Sequence, residues 1–118
     1  MKTHKDLDVW QKSIDLAVKI YLITDSLIKD KEYELSKQMR RAAVSLPSNI
    51  AEGAARSSDK EFIRFLYYSL GSLSELETQF IVSTRLKLLK DVDISDEMIN
   101  IKQMILGLIR FLKNRNRH

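Results

Sequence analysis

The chain has 118 residues, 44% of them apolar and 31% charged, which suits one soluble globular domain and excludes a disordered or fibrous chain. It contains no cysteine, so disulfides and thiolate metal sites are excluded. The net charge of +4 is modest, but residues 110–118 alone carry four cations and no acid. A tail of this kind either binds polyanions or is simply solvated.

Targeting and membrane signals are the next features to test. The N-terminal sequence MKTHKDLDVW has no apolar signal region. Apolar runs such as MILGLI at residues 104–109 are far shorter than the ~20 residues of a membrane span. We therefore expect a soluble cytoplasmic protein with no membrane partner. One proline and three glycines leave little material for β-turns, which favours an all-α fold.

The first predicted helix runs from about Asp6 to Ile28. Its main apolar stripe follows alternating spacings of three and four residues: Leu7, Trp10, Ile14, Ala17, Tyr21 and Ile28. A second stripe runs beside it: Leu16, Ile20, Ile23 and Leu27. A helix that is apolar over so much of its circumference has more than one neighbour. Surplus apolar positions, such as Leu16, Ile20, Tyr67 and Ile81, favour contact with a second subunit, and the alternative is a tilted helix that buries a wide stripe.

The second predicted helix begins near Glu34, ends near Arg56 and contains Pro47. Proline has no N–H group and crowds the carbonyl four residues earlier, which costs about 3 kcal/mol in a helix interior. Ser45 and Ser48 flank Pro47 and are placed to bond the freed backbone groups. We predict that the helix continues through Pro47 with a kink; a complete break there, giving five helical pieces, is the alternative.

Two more helices complete the predicted fold. Ser58 and Glu61 form a capping box at the start of the third helix. Its inward residues are Phe62, Leu66, Ser69, Leu73, Leu76, Phe80 and Ser83. The fourth helix is predicted to be capped by Ser95, with these residues inward: Met98, Ile101, Ile105, Leu108 and Leu112. Short connections favour antiparallel neighbours, so residues 1–118 are predicted to form one all-α, antiparallel, up-down-up-down four-helix bundle.

Polar side chains form one line on each of the two middle helices. The second helix carries Arg41, Ser45, Asn49, Glu52 and Arg56, and the third carries Arg64, Tyr68, Ser72, Glu75 and Gln79. We predict a structural polar network of Ser45, Asn49, Glu52, Ser72 and Glu75, within one chain or between subunits. Such a network fixes register more than it stabilises. For the outer residues Arg56 and Arg64, a solvated face is the alternative.

Three sequence segments resemble the four-helix-bundle proteins encoded in bacterial 23S rRNA intervening sequences. They are DLDVWQKS at residues 6–13, RRAAVSLPSNIAEG at residues 40–53 and FLYYSLGSLSELETQ at residues 65–79. The same family includes accessory proteins of diversity-generating retroelements, which form barrel-like homopentamers and bind nucleic acid and a reverse transcriptase through a basic surface. The resemblance therefore implies a homopentamer, with RNA or DNA and a reverse transcriptase or another protein as partners.

Catalytic signatures are missing from the sequence. The two histidines, His4 and His118, lie at the ends and neither follows a glutamate by three residues, so the di-iron bundle pattern does not occur. No Ser-His-Asp, phosphate-loop or dinucleotide motif is present. We predict a non-enzymatic protein with no cofactor and no metal.

Two functions stay open from the sequence. The first is an RNA- or DNA-associated scaffold, in which a ring repeats a modest basic surface and phosphate contacts add up. Its candidate nucleic-acid-binding residues are Lys37, Arg40, Arg41, Arg110, Lys113, Arg115 and Arg117. The second is a protein-interaction scaffold that docks a partner protein without nucleic acid.

Overall fold

All regular structure is helical in residues 3–116, the part of the chain that the computed structural model describes. A short 3-10 helix at His4–Asp6 precedes α1 (Asp8–Ile23), and α2 (Asp25–Lys29) follows after Thr24. Three long helices come next: α3 (Tyr33–Ala54), α4 (Asp59–Arg85) and α5 (Ser95–Asn114). The all-α prediction is confirmed, but the predicted single first helix is wrong, because it is divided at Thr24.

The long helices α1, α3, α4 and α5 form an elongated helical bundle of 54 × 20 × 19 Å. α3 packs against α1 and α4, and α5 packs against α4 and α1, so each long helix has two neighbours. Within residues 3–116, α1 and α4 do not pack against each other. They therefore lie diagonally opposite across the bundle and expose opposite outer faces.

The stripe of α1 that enters the core is not the one that its spacing favoured. Its buried residues are Val9, Ser13, Leu16, Ala17 and Ile20, whereas Tyr21 is 43% exposed. The prediction that Leu16 and Ile20 are surplus surface positions is therefore wrong. Two adjacent apolar stripes give similar periodicity, and only the position of the neighbouring helices decides which of them is covered.

The predicted interior of α4 is confirmed along its length. All seven predicted inward residues are buried: Phe62, Leu66, Ser69, Leu73, Leu76, Phe80 and Ser83. Ser58 caps the helix, since its hydroxyl accepts a hydrogen bond from the Glu61 backbone N–H at 3.2 Å. The α5 cap differs from its prediction: Ser95 is the first helical residue, and its N–H donates to Asp93 Oδ1 at 2.9 Å.

In α5, four of the predicted inward residues are buried, and one is replaced by its neighbour. Ile109 is buried while Leu108 is only half-buried. The buried set is therefore Met98, Ile101, Ile105, Ile109 and Leu112. The shift is one residue near the end of the helix, where the three- and four-residue spacings are hardest to separate.

Helix α3 continues through Pro47, which is buried. Side chains donate hydrogen bonds to three consecutive carbonyls beside it: Ser48 to Val44 at 2.7 Å, Asn49 to Ser45 at 3.0 Å and Ser69 to Leu46 at 2.9 Å. The carbonyl that loses its helical donor to Pro47 is that of Ala43, so these three bonds support the backbone beside the proline and do not replace the missing one. The polar residues around Pro47 therefore satisfy helix backbone as well as forming contacts between helices.

Gly53 allows α3 and α4 to approach closely near their junction. A Cβ atom built on Gly53 would lie 2.8 Å from Phe65 Cβ and 2.9 Å from Phe62 Cδ1. Both distances are shorter than real carbon contacts allow, so any side chain at residue 53 would push the two helices apart. Gly53, the glycine of the IAEG segment, is thus required for the close packing of α3 against α4.

Candidate nucleic-acid interface

Three cations lie in the first half of α3 and form what we call the α3 basic cluster: Lys37, Arg40 and Arg41. Lys37 and Arg41 are four residues apart, so they occupy the same exposed face of the helix. Within the described residues neither of them forms an ion pair or a hydrogen bond with another side chain. Both charges are therefore available to a ligand.

Arg40 is held in place, unlike its two neighbours. Its guanidinium donates to Thr24 Oγ1, to the Tyr21 carbonyl and to Asp25 Oδ1, each at 2.9 Å. It also lies 4.6 Å from the centroid of the Tyr21 ring. Arg40 therefore ties α3 to the end of α1, and Asp25 neutralises its charge.

An open cleft of about 670 Å³ lies beside the α3 basic cluster. Its lining residues are Tyr21, Ile28, Tyr33, Ser36, Lys37, Arg40 and Arg41. This lining contains three cations, two tyrosines and no acid. Exposed tyrosine rings beside free cations are the side chains that single-stranded nucleic-acid sites use.

The C-terminal basic cluster consists of Arg110, Lys113 and Arg115 in the described residues, and the predicted Arg117 lies outside them. Arg115 donates two hydrogen bonds to the Asp59 carboxylate, and Asn116 Nδ2 donates a third to it at 2.8 Å. These bonds lower the pKa of Asp59 to about 2, and the same pair raises the pKa of Arg115. The positive charge of Arg115, at the C-terminal end of α5, is therefore neutralised by Asp59.

The other two cations of this cluster are more accessible. Lys113 Nζ donates to the Tyr67 hydroxyl at 3.1 Å and lies 5.5 Å from the centroid of the same ring. Arg110 is exposed, with no ion pair to any described residue. Asp59, the partner of Arg115, is the first residue of α4 and follows the end of α3 closely in the chain. Lys37 lies near the other end of α3, about 25 Å from its last residue at ~1.5 Å per residue. One chain therefore does not bring the two basic clusters together.

The structure joins three of the five residues of the predicted polar network. Ser45 Oγ and Ser72 Oγ are 2.8 Å apart across the α3–α4 contact, and Asn49 Nδ2 donates to Ser45 Oγ at 3.1 Å. Glu52 instead pairs with Arg56 at 3.0 Å on its own helix. Glu75 accepts from Gln79 Nε2 at 3.3 Å, also within one helix. The two carboxylates thus stabilise helix surfaces and do not extend the network between helices.

Sequence reasoning missed an arginine–aromatic cluster at the junction of α3 and α4. The guanidinium groups of Arg56 and Arg64 lie 4.8 and 5.2 Å from the centroid of the Phe65 ring. Phe65 also contacts Tyr68 edge-on, with ring centroids 5.3 Å apart. The sequence signal was the spacing Arg64, Phe65, Tyr68 on one helix, but the contribution of Arg56 depends on the fold.

Residues 3–116 contain neither a metal-binding cluster nor a membrane-spanning helix. No group of three or more histidine or acidic side chains is placed to hold a metal ion in this part of the chain. Among the described helices, none has the length and apolar character needed to cross a membrane.

The packing of the long helices and the partly open cationic surface define a helical bundle protein with a candidate polyanion interface. The chain belongs to the family of 23S rRNA-intervening sequence proteins, whose model matches residues 5–109. The resemblance noted in the sequence is therefore confirmed. No protein of curated function matches the chain.

A solved structure shares this fold. It is the 1.70 Å crystal structure of a protein of unknown function from the S23 ribosomal protein family of Bacteroides thetaiotaomicron. The TM-score is 0.64 with 24% sequence identity, over 93% of this chain and 99% of that chain. Neither the family description nor that of the crystal structure names an enzymatic activity.

Proposed function

We propose that this chain is a non-enzymatic, ring-forming bundle protein that associates with RNA through a basic surface repeated around the ring. The α3 basic cluster carries the proposal, because Lys37 and Arg41 are exposed beside a cleft whose lining has no acid. Arg110 and Lys113 add a second accessible pair on α5. Cations without internal partners are free to replace the counterions of a phosphate backbone.

The topology that we propose for each subunit is the antiparallel up-down-up-down bundle, with α3 kinked at Pro47. Three contacts between α3 and α4 support the antiparallel pairing. Met39 Sδ accepts from Ser83 Oγ at 3.5 Å, Ser45 meets Ser72, and the Leu46 carbonyl accepts from Ser69. As residue numbers rise along α3, those of their α4 partners fall.

Exposed apolar side chains support the ring. Val18 and Leu22 on α1 are 56% and 67% exposed, and Ile81 and Val82 on α4 and Leu86 just after it are also exposed. Because α1 and α4 are diagonal in the bundle, these residues form patches on opposite faces. Opposite complementary faces favour head-to-tail contacts that close into a ring, whereas a two-fold dimer needs one self-complementary patch. The resemblance implies that five copies close it.

A native mass measurement tests the ring. We expect an assembly of five times the 13.7 kDa chain mass. Leu22→Glu is expected to dissociate it without unfolding the subunit, because Leu22 is exposed in the single chain. The control is Gln103→Glu, which adds the same charge at an exposed position of α5, away from both patches. A wild-type protein that stays monomeric at micromolar concentration would overturn the ring.

Binding to RNA is tested by titrating a labelled structured RNA at rising salt. We expect Lys37→Gln/Arg41→Gln to weaken binding and to reduce the slope of log affinity against log salt by about 1.4–1.8 for each subunit engaged. The matched control is Arg85→Gln/Lys102→Gln, which removes one arginine and one lysine from other exposed positions. No binding at low salt, or equal losses in both double variants, would contradict the proposed interface.

The arginine–aromatic cluster favours a second candidate function, docking of a partner protein without nucleic acid. Arginine, tyrosine and phenylalanine are enriched in the central residues of protein interfaces. Arg56 and Arg64 are already paired with Glu52 and Glu61, which suits a protein surface better than a phosphate backbone. If RNA fails to bind, a partner whose binding is lost in Tyr68→Ala would identify this function.

A further inference from the structure

The cleft beside the α3 basic cluster has an exposed aromatic ring in line with its two free cations. Tyr33, Lys37 and Arg41 follow one another at intervals of four residues, so they form a row on one face of α3. The row covers about 12 Å at ~1.5 Å per residue. Tyr33 is 59% exposed at one end of it, and two free cations continue it.

The opposite wall of this cleft is rigid. Tyr21 lies under the guanidinium of Arg40, which three hydrogen bonds fix to α1 and Asp25. Thr24 contributes to this arrangement, because its hydroxyl donates to the Ile20 carbonyl while accepting from Arg40. A ligand that enters the cleft therefore meets one wall that is already ordered.

We propose that this cleft binds one unpaired nucleotide, with its base stacked on Tyr33 and its flanking phosphates on Lys37 and Arg41. The inference deepens the proposed function and rests on it, since it assigns the part of a nucleic acid that the basic surface contacts. A base has a free face only when it is unpaired, so the ligand is a loop, bulge or strand end.

Charge complementarity favours a nucleotide over an apolar peptide as the ligand of this cleft. Two acids close to the row in sequence or space have other partners: Asp25 accepts from Arg40, and Glu34 accepts from Gln38 Nε2 at 3.0 Å. Lys37 and Arg41 keep their full positive charge at the cleft. An apolar peptide would leave both cations without a partner, whereas a nucleotide supplies a π-face and a phosphate in neighbouring positions.

The test compares two RNAs of equal phosphate number, a hairpin with a single-stranded loop and a blunt duplex. We expect Tyr33→Leu to weaken hairpin binding by at least about fivefold, since base–aromatic stacking contributes that much per base. Duplex binding should not change. Tyr33→Phe retains the ring and should restore hairpin affinity. The matched control is Phe111→Leu, which removes a comparably exposed ring from α5.

A single-stranded DNA of the loop sequence is compared with the RNA of the same sequence. This comparison shows whether the cleft distinguishes RNA from DNA. Equal affinity for both strands supports a site that reads base and phosphate, and a preference for RNA supports a site that also reads the 2′-hydroxyl. Photocrosslinking with a 4-thiouridine in the loop should label the peptide that contains Tyr33.

Two failures are distinguishable. If the hairpin binds but Tyr33→Leu behaves as Phe111→Leu does, and the crosslink falls elsewhere, the nucleotide site is overturned while the basic surface stands. If neither RNA binds at low salt, the proposed function falls as well. Because Tyr33 is largely exposed, an unchanged urea midpoint will show that Tyr33→Leu remains folded.

Discussion

The α3 basic cluster and the C-terminal basic cluster have similar composition but different availability. In the first, Arg40 is tied to Asp25 and to α1, while Lys37 and Arg41 are free beside a cleft. In the second, Arg115 is bound to Asp59, and Lys113 contacts Tyr67. The tail carries more cations in the sequence, four in residues 110–118 with no acid, yet the better candidate site is on α3.

This difference shows that the location of acids in space decides which cations can act on a ligand. Asp59 is 56 residues from Arg115 in sequence, and Asp25 is 15 residues from Arg40. In each cluster one arginine is used to hold helices together. The charges that remain for binding are those that no acid from a neighbouring helix reaches.

The largest stability effect is expected from the arginine that anchors the α3 basic cluster. Arg40→Ala removes three hydrogen bonds and the contact with Tyr21, so we expect the free energy of unfolding to fall by about 2–3 kcal/mol. Arg40→Lys keeps the charge but not the fork geometry and should recover only part of this. Urea unfolding of both variants makes the comparison.

Arg41→Ala is the control for that measurement, because it removes a neighbouring arginine that has no internal partner among the described residues. We expect its unfolding free energy to stay within about 0.5 kcal/mol of the wild-type value. Equal destabilisation in Arg40→Ala and Arg41→Ala would contradict the division of the cluster into an anchor and free cations.

A smaller loss is expected at the close approach of α3 and α4, which positions the start of α4 and hence Asp59. Gly53→Ala places Cβ against Phe62 and Phe65, and the overlap should cost about 1–3 kcal/mol. Up to about 1 kcal/mol is returned by the better helix propensity of alanine. We therefore expect a net destabilisation of about 1–2 kcal/mol in thermal or urea unfolding.

Gly71→Ala is the matched control, since this glycine is also inside a helix and no neighbour lies within 4 Å of the added Cβ. It should stabilise the protein by about 0.5–1 kcal/mol. The two glycine substitutions are thus expected to have opposite signs. A stabilising Gly53→Ala would show that the helices separate without cost.

The sequence predicted the interior of α4 better than that of α1. The predicted helix also has a second apolar seam, Ile63, Tyr67, Leu70, Ile81 and Leu88, but all seven residues of the predicted inward seam are buried as expected. In α1 two stripes compete, and Tyr21 is 43% exposed at the edge of the bundle, where Arg40, 19 residues away, packs against it. Periodicity cannot contain that information, because it depends on a second helix.

The candidate site, like the interior of α1, was predictable only in part from the sequence. Clustering of Lys37, Arg40 and Arg41 was visible in the sequence, but which of them is free was not. The sequence KDKEY at residues 29–33 predicts a polar connection, whereas in the structure Tyr33 is the first residue of α3 and lines the cleft. The available signal in the sequence was the spacing of four residues between Tyr33 and Lys37. This spacing places both residues on one helix face only because α3 begins at Tyr33.

The smallest effect is expected at the C-terminal basic cluster, where Arg115 and Asn116 lower the pKa of Asp59 to about 2 from 3.8. A lowered folded-state pKa means that the stabilising contribution is fully present above pH 3.8 and is lost as pH falls through about 2. Wild type should therefore exceed Asp59→Asn in unfolding free energy at pH 6, and the difference should shrink towards zero near pH 2.

High salt should reduce that difference at pH 6, since the Asp59–Arg115 pair is at the surface and is screened. Arg115→Gln should show a weaker pH dependence than wild type, because it breaks the same pair and leaves only the Asn116 hydrogen bond on Asp59. If the difference between wild type and Asp59→Asn were constant from pH 2 to pH 6, the ion pair would not be its source. Arg115 would then be free for a ligand, and the contrast between the two basic clusters would disappear.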